Sequence, residues 1–142
     1  MNFTIRLAEV SDIRHLRELD SHIPPARLED CVRNRFVYVL CGEDAAPVGV
    51  LRYSLFWQTI PFLDLLYLRA EHRNHGFGTA MMNRWEQDMA RRGYQYVMTS
   101  TQADETAKYF YEKRGYRHLG AFLPPDQEVD ELIYGKNLCN SH

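Results

Sequence analysis

The strongest constraint on the fold is a glycine-containing loop that lies between an apolar strand and an amphipathic helix. The strand pattern "FLDLLYL" covers residues 62–68, and the stretch "HRNHGFGTAMM" follows at residues 72–82. Beyond it, apolar residues recur at helical spacing, as Met82, Trp85 and Met89. A helix start leaves its first amides without partners inside the helix. The loop is therefore predicted to be either a tight corner or a cradle for an anion such as a phosphate.

The rest of the chain alternates between strand and helix patterns. Ser11 or Asp12 can cap a first helix, and Gly93 and Gly115 are placed to end the third and fourth. The predicted order is βααβββαβαββ, which is typical of an α/β or α+β domain with helices packed against a mixed sheet. The strand patterns cover residues 3–7, 36–41, 48–57, 62–68, 94–100, 116–122 and 131–136, and helices are expected over 13–19, 27–33, 79–92 and 105–114.

Composition narrows the class of protein. We expect one domain over residues 1–142, since this length suffices for a single core. The 17 Lys and Arg against 19 Asp and Glu give a net charge of −2, so no nucleic-acid or anionic-membrane partner is expected. Cys31, Cys41 and Cys139 form no CxxC pair, which argues against a disulfide framework or a zinc site and favours a reducing, cytoplasmic compartment. The longest uncharged run, residues 53–63, is too short to span a bilayer.

Two familiar phosphate loops do not match the glycine loop. A P-loop places a lysine after its second glycine, but Gly78 is followed by Thr79. A dinucleotide-binding fingerprint needs a third glycine and an acidic residue about 20 positions on, and both are missing. An anion cradle of a different kind and a simple tight turn stay open.

The loop resembles the coenzyme A loop of the GNAT acetyltransferase superfamily. Its R-x-x-G-x-G pattern is Arg73 to Gly78, and "AKYFYEKRGY" at residues 107–116 is similar to the family's A-x-x-x-Y-E-K-x-G-[FY] segment. The opening "TIRLAEVSDIRHLREL" also looks like the family's first strand and helix. The resemblance implies a mixed, mostly antiparallel sheet of six to seven strands flanked by about four helices. It implies acetyl-CoA as co-substrate and no metal.

The resemblance assigns the cofactor mainly to backbone groups. Loop amides would bind the pyrophosphate, and Leu68 would hold the pantetheine arm and polarise the thioester carbonyl. The alternative for Leu68 is a core residue of the strand, and the two roles are compatible. Asp104 stands where the family often has asparagine; it can cap the fourth helix, but its charge leaves the coenzyme contact in question. The predicted cofactor-binding residues are Leu66, Leu68, Arg73, Asn74, His75, Gly76, Phe77, Gly78, Thr79 and Asp104.

The resemblance also implies two catalytic residues. Tyr111 matches the general-acid tyrosine that protonates the departing thiolate, and helical periodicity turns it inward. The alternative is a buried packing tyrosine. Asp64 is the candidate base or water relay for the amine, and it is expected on the same strand face as Leu68; a structural aspartate is the alternative. The weaker candidates for this role are Glu71, His72 and His75.

The acceptor pocket is predicted from the aromatic segment before the glycine loop. Tyr53, Trp57 and Asp64 combine aromatic faces with a carboxylate, which suits a cation. The alternative for each is a core position, since strand alternation places about half of the side chains of this segment in the core. Together with this pocket, the resemblance to the GNAT superfamily implies N-acetylation of a primary amine of a small molecule or peptide. The alternatives are a non-catalytic coenzyme A sensor and an enzyme that acetylates aminoacyl-tRNA. Pairing of two copies through strands at the sheet edge stays open.

Overall fold

The computed structural model describes residues 2–138 of the chain. Cys139 lies outside the described residues, so the prediction made for it is not tested. The described residues form two compact units. The first comprises residues 2–54 and 64–88, and the second comprises residues 55–63 and 89–138. A single domain over residues 1–142 stays a prediction.

The described residues contain seven strands and four α-helices in the predicted order. Short 3-10 turns at Val10–Asp12 and Ala70–His72 precede α1 and the glycine loop. The elements are β1 (Thr4–Leu7), α1 (Ile13–Leu19), α2 (Pro25–Arg33), β2 (Val37–Cys41), β3 (Pro47–Phe56), β4 (Ile60–Leu68), α3 (Phe77–Arg91), β5 (Tyr96–Gln102), α4 (Ala107–Lys113), β6 (Arg117–Phe122) and β7 (Glu131–Asn137).

The strands form one mixed sheet in the order β1-β2-β3-β4-β5-β7-β6. β1 with β2, β2 with β3, β5 with β7 and β6 with β7 are antiparallel. β4 and β5 are parallel, and they pair at Phe62–Met98 and Leu63–Thr99. A parallel pair needs a crossover connection, which α3 supplies. The prediction of a mixed, mostly antiparallel sheet with about four helices is confirmed.

The core of the first unit lies between the sheet and the first two helices. Alternation along β3 sends Val50 into this core, whereas Tyr53 faces the other side and packs against Trp85 of α3. The two sides of β3 therefore have different partners, which matters for the site below. The buried residues of the core on the side of α1 and α2 are Ile13, Leu16, Leu19, Leu28, Val32, Val37, Val39, Cys41 and Val50.

The turn between β3 and β4 is tighter than the sequence pattern predicts. The amide of Thr59 donates to the carbonyl of Phe56 at 3.1 Å, and Trp57 and Gln58 have φ angles of 55° and 63°. These angles define a type I′ turn, which usually holds Asn and Gly. Because neither residue is typical of such a turn, the strand pattern predicts that the third strand continues through Trp57 and that the fourth begins only at residue 62. In the structure β3 ends at Phe56 and β4 begins at Ile60.

Asp12 does not cap α1 with its side chain. Its carboxylate accepts hydrogen bonds from the Glu9 amide at 2.8 Å and from Arg6 at 2.8 and 3.1 Å. Burial opposes its charge, but the bonds from Arg6 and Glu9 outweigh burial and lower the pKa of Asp12. A 3-10 turn leads into α1 instead, so the predicted capping residue ties the helix start to β1.

The residue that terminates α2 has a left-handed backbone conformation although it is not a glycine. Arg35 has a φ of 67°, its amide donates to Val32 at 3.1 Å, and the Phe36 amide donates to Cys31 at 2.9 Å. This is the Schellman arrangement, in which glycine usually takes the left-handed position. Arg35 therefore holds a strained backbone conformation.

Candidate active site

The glycine loop leads directly into the first turn of α3. Asn74 and Gly76 have φ angles of 64° and 84°, two left-handed positions that bring the chain from β4 to the helix. The Ala80 amide donates to the Gly76 carbonyl at 3.0 Å and is the first helical bond of α3. By helix geometry the preceding amides have no acceptor within the helix, and they lie at the positive end of its dipole.

The backbone at Gly76 is open to an approaching group. An added Cβ would meet no heavy atom within 4 Å, and residues 73–76 are exposed. Arg73 donates from Nε to the Leu68 carbonyl at 2.8 Å and lies over the Tyr67 ring, which joins the loop to the end of β4. An exposed backbone at a helix start fits the pyrophosphate of coenzyme A. Leu66 and Leu68 are half-buried on β4.

An aromatic pocket of about 490 Å³ flanks the loop within the first unit. Phe3 and Phe77 pack with ring centroids 4.4 Å apart, and the ring of His72 meets Phe3 edge-on at 5.5 Å. Glu71 and His75 also line the pocket. The weaker candidates for the catalytic base, Glu71, His72 and His75, therefore line this pocket beside the glycine loop.

Asp64 belongs to a cluster of charged side chains on the side of β3 that faces α1 and α2. Arg52 donates from Nε to Oδ2 of Asp20 at 2.6 Å and from Nη2 to Oδ1 at 3.4 Å. Its Nη1 lies 3.5 Å from Oδ2 of Asp64. The exposed fraction of the side chain is 0% for Asp20, 11% for Arg52 and 27% for Asp64. Only the carboxylate of Asp64 is substantially open.

The environment of Asp64 favours proton uptake. Burial raises the pKa of its carboxyl, a hydrogen bond from Ser54 and the charge of Arg52 oppose this, and the charge of Asp20 adds to it. The net effect is a raised pKa. A carboxylate with a raised pKa on a partly open surface is a stronger base than an ordinary aspartate.

The expectation that Asp64 shares a strand face with Leu68 is wrong. Asp64 meets Arg52, which bonds to the end of α1, and the adjacent Leu65 packs against the core beneath α1 and α2. Leu68 instead lies over Gly49, on the other side of the sheet. Regular alternation between Asp64 and Leu65 is therefore broken, which an inference based on strict alternation cannot foresee.

The structure corrects the assignment of Tyr53 to the acceptor pocket. Its side chain is 1% exposed, its ring packs 5.7 Å from that of Trp85, and its hydroxyl donates to the Arg35 carbonyl at 3.4 Å. Tyr53 is a core residue because the alternation of β3 turns it toward α3. Trp57 is 78% exposed at the tip of the β3–β4 turn, in the second unit.

Polar residues that were not predicted from the sequence surround Asp64. Arg52 and Ser54 lie two apart on β3 and thus share a face, in a strand that is otherwise largely apolar. That alternation was a usable signal. Asp20 ends α1, and no local pattern links it to a strand 32 positions away.

Tyr111 lies in the second unit, on α4, and it faces inward as predicted. Its side chain is 7% exposed, its ring packs edge-on against Tyr116, and its hydroxyl forms a hydrogen bond with Thr99. Burial raises the pKa of Tyr111, so the phenol keeps its proton at neutral pH. A protonated phenol is able to act as a general acid.

Glu112, which follows Tyr111 on α4, and Asp104, which precedes the helix, have distinct environments. Glu112 accepts a hydrogen bond from the Tyr134 hydroxyl at 2.8 Å, which ties α4 to β7. Asp104 lies in the exposed turn before α4, and the helix starts after Thr106. Asp104 is therefore not the residue that caps α4, and its contact with coenzyme A stays a prediction.

Comparison with known families decides the class of protein. The sequence model described as the acetyltransferase (GNAT) family matches residues 7–116. The chain belongs to the GNAT acetyltransferase family. This GNAT chain is accordingly an acetyltransferase, and acetyl-CoA is its co-substrate.

Solved structures share the fold of this GNAT chain. Ard1 from Thermoplasma volcanium has a TM-score of 0.83 and 19% identity, and the match covers 95% of this chain and 97% of that one. The ribosomal-protein-S18-alanine N-acetyltransferase from Escherichia coli has a TM-score of 0.82 and 14% identity, with 99% and 97% covered. The yncA protein of Salmonella typhimurium, solved with its cofactor acetyl-CoA, has a TM-score of 0.81 and 14% identity, with 100% and 97% covered. No curated protein sequence matches this chain significantly.

Residues 2–138 contain neither a metal-binding cluster nor a membrane-spanning helix. Over this range, no group of three or more His, Cys, Asp or Glu side chains is arranged to hold a metal ion. Each helix in the same range is too short or too polar to cross a membrane.

Proposed function

We propose that this protein moves the acetyl group of acetyl-CoA to a primary amine of a small molecule or peptide by direct attack. Asp64 is the base and Tyr111 the general acid. The observation that carries the choice of an amine is the carboxylate of Asp64, which is partly open and has a raised pKa. An alkylammonium group, with a pKa near ~10.4, must lose a proton before it attacks.

The two residues handle protons at opposite ends of the reaction. Bound acetyl-CoA supplies an activated thioester. Asp64 takes a proton from the ammonium nitrogen, directly or through water, which frees the lone pair that forms the N–C bond. Tyr111 gives its proton to the sulfur as the C–S bond breaks, and it regains a proton from the nitrogen that becomes the amide. The products are the amide and the free thiol, with one proton released to solvent.

Charge supports a cationic acceptor. With Asp64 ionised, the side chains of Asp20, Arg52 and Asp64 carry one residual negative charge, and Asp64 is the most exposed of the three. An ammonium group beside Asp64 would complete this charge balance. The E. coli enzyme of the same fold acts on the alanine of a ribosomal protein, which makes peptides with a free α-amine a class to test.

One alternative keeps the fold without turnover. A coenzyme A sensor is favoured by Asp104, whose charge stands where the family often has asparagine, and disfavoured by the retention of Tyr111. Acetylation of aminoacyl-tRNA would need a basic surface, and the net charge of −2 gives it no support. A cytoplasmic location and pairing of two copies stay predictions.

Thiol release from acetyl-CoA tests the proposal. The purified chain is incubated with acetyl-CoA and a panel of primary amines, including polyamines and short peptides, and free thiol is measured with a chromogenic disulfide. We expect thiol release that depends on the amine and a matching acetylated product by mass spectrometry. Coenzyme A binding without turnover on any amine would favour the sensor instead.

A further inference from the structure

The proposed reaction leaves the buried pair Asp20 and Arg52 unexplained. Asp20 is fully buried and Arg52 nearly so, and taking two charges out of water is costly. Replacement of such a pair by apolar residues is often neutral or stabilising, so stability alone is a weak reason for it. The position of the pair beside Asp64 suggests another reason.

The geometry of Arg52 fixes its guanidinium toward Asp64. Two nitrogens, Nε and Nη2, bond to the two oxygens of Asp20, and this fork sets the plane of the group. The remaining nitrogen, Nη1, lies 3.5 Å from the carboxylate of Asp64. Arg52 is thus anchored on Asp20 and reaches Asp64 only at its outer edge.

We propose that Asp20 and Arg52 form a positioning pair that holds Asp64 oriented and ionised for the acceptor amine. The inference rests on the proposed function, in which Asp64 receives the proton of the amine. Because Asp20 binds Arg52, Arg52 does not form a full ion pair with Asp64. A full ion pair would weaken Asp64 as a base. The charge of Arg52 in turn limits the rise in the pKa of Asp64 that burial causes.

The groups that face this cluster come from four elements. Asp20 ends α1, Arg52 and Ser54 lie on β3, Asp64 lies on β4, and Cys31 lies on α2. Burial raises the pKa of the Cys31 thiol, so it carries no charge at neutral pH. The two members of the pair have opposite effects, because Arg52 lowers the pKa of Asp64 and Asp20 raises it.

Because Arg52 and Asp20 have opposite effects on the pKa of Asp64, a positioning role can be distinguished from a merely structural one. We compare the wild type with Asp20→Asn, Arg52→Gln and Arg52→Lys, using the acidic limb of kcat/KM against pH with a primary amine. Asp20→Asn should move the limb to lower pH, Arg52→Gln should move it to higher pH, and Arg52→Lys should stay near the wild type. We expect the first two limbs to differ by on the order of one pH unit, the lower end of what a nearby charge does.

A second measurement does not depend on turnover. Carbon-13 NMR titration of the aspartate carboxyl groups follows Asp64 directly, with its signal assigned from its loss in Asp64→Asn. The same opposite displacements are expected in the free protein. If the titration midpoint of Asp64 moves equally in both variants, or in neither, the positioning role is overturned, even for a protein that acetylates amines. If the midpoints move in opposite directions but no amine is acetylated, the effect of the pair on Asp64 is upheld and only the proposed reaction is rejected.

Folding of the variants is controlled separately. Removal of Arg52 leaves Asp20 buried without its partner, which is strongly destabilising. If Arg52→Gln fails to fold, as judged by circular dichroism, the titration of Asp20→Asn still decides the question. An Asp20→Asn titration that moves to higher pH or stays in place contradicts the inference by itself.

Discussion

Replacement of Gly76 by alanine separates the backbone cost of the loop from its role in binding. Gly76 and Gly93 lie at the two ends of α3, with φ angles of 84° and 96°, and an added Cβ at either position meets no heavy atom within 4 Å. Gly93→Ala is therefore a matched control. In both variants the strain comes from the left-handed backbone and not from a clash.

The two substitutions should destabilise the protein equally. A left-handed alanine costs roughly 1–2 kcal/mol. The lower entropy of the unfolded chain returns about 0.4–1 kcal/mol of this. The expected net loss is about 1 kcal/mol in each variant, measured by urea unfolding.

Only Gly76→Ala should weaken binding of coenzyme A. Its new methyl group lies on the open backbone surface of the loop, where the pyrophosphate is expected, and would lengthen at least one hydrogen bond to a charged group. Such a bond is worth about 1.5–3 kcal/mol, so isothermal calorimetry should show a Kd raised by about tenfold or more. Equal Kd values for Gly76→Ala and Gly93→Ala would refute the cradle.

Three further predictions concern single side chains. Tyr111→Phe should lower kcat by at least roughly 100-fold in the thiol-release assay. The control Tyr134→Phe, which removes the hydroxyl of another buried tyrosine of the second unit, should leave kcat unchanged. Similar losses of kcat in both variants would show that Tyr111 acts through packing. Arg35→Gly should raise the free energy of unfolding by about 0.5–1 kcal/mol, since glycine relieves the left-handed strain after α2; a loss of stability would show that its side chain matters more. The lowered pKa of Asp12 means that its pairing with Arg6 stabilises the fold above the unfolded pKa near ~3.9 and that this stability is lost as pH falls through the folded pKa. Asp12→Asn should cost about 2 kcal/mol at pH 7 and progressively less in acid, and a cost that does not change with pH would contradict this.

The predictions that were confirmed rest on local patterns. Leu16 of α1 and Trp85 of α3 are buried because helical periodicity places them on one face, and Tyr111 is buried for the same reason. The left-handed angles of Asn74 and Gly76 also agree with local chemistry, since these residue types tolerate such angles best, whereas the binding role of the glycine loop stays a prediction. Such features depend only on neighbours within a few positions.

The sequence alone therefore determined the order of the strands and helices, the loop before α3 and the family resemblance. Only the tertiary structure decided that Tyr53 packs in the core, that Asp64 and Leu68 point to different sides of the sheet, and that Asp20 anchors Arg52 beside Asp64. The physical reason is that a break in strand alternation and a pairing between distant charges arise from how separate elements pack. No periodicity within one element records either of them.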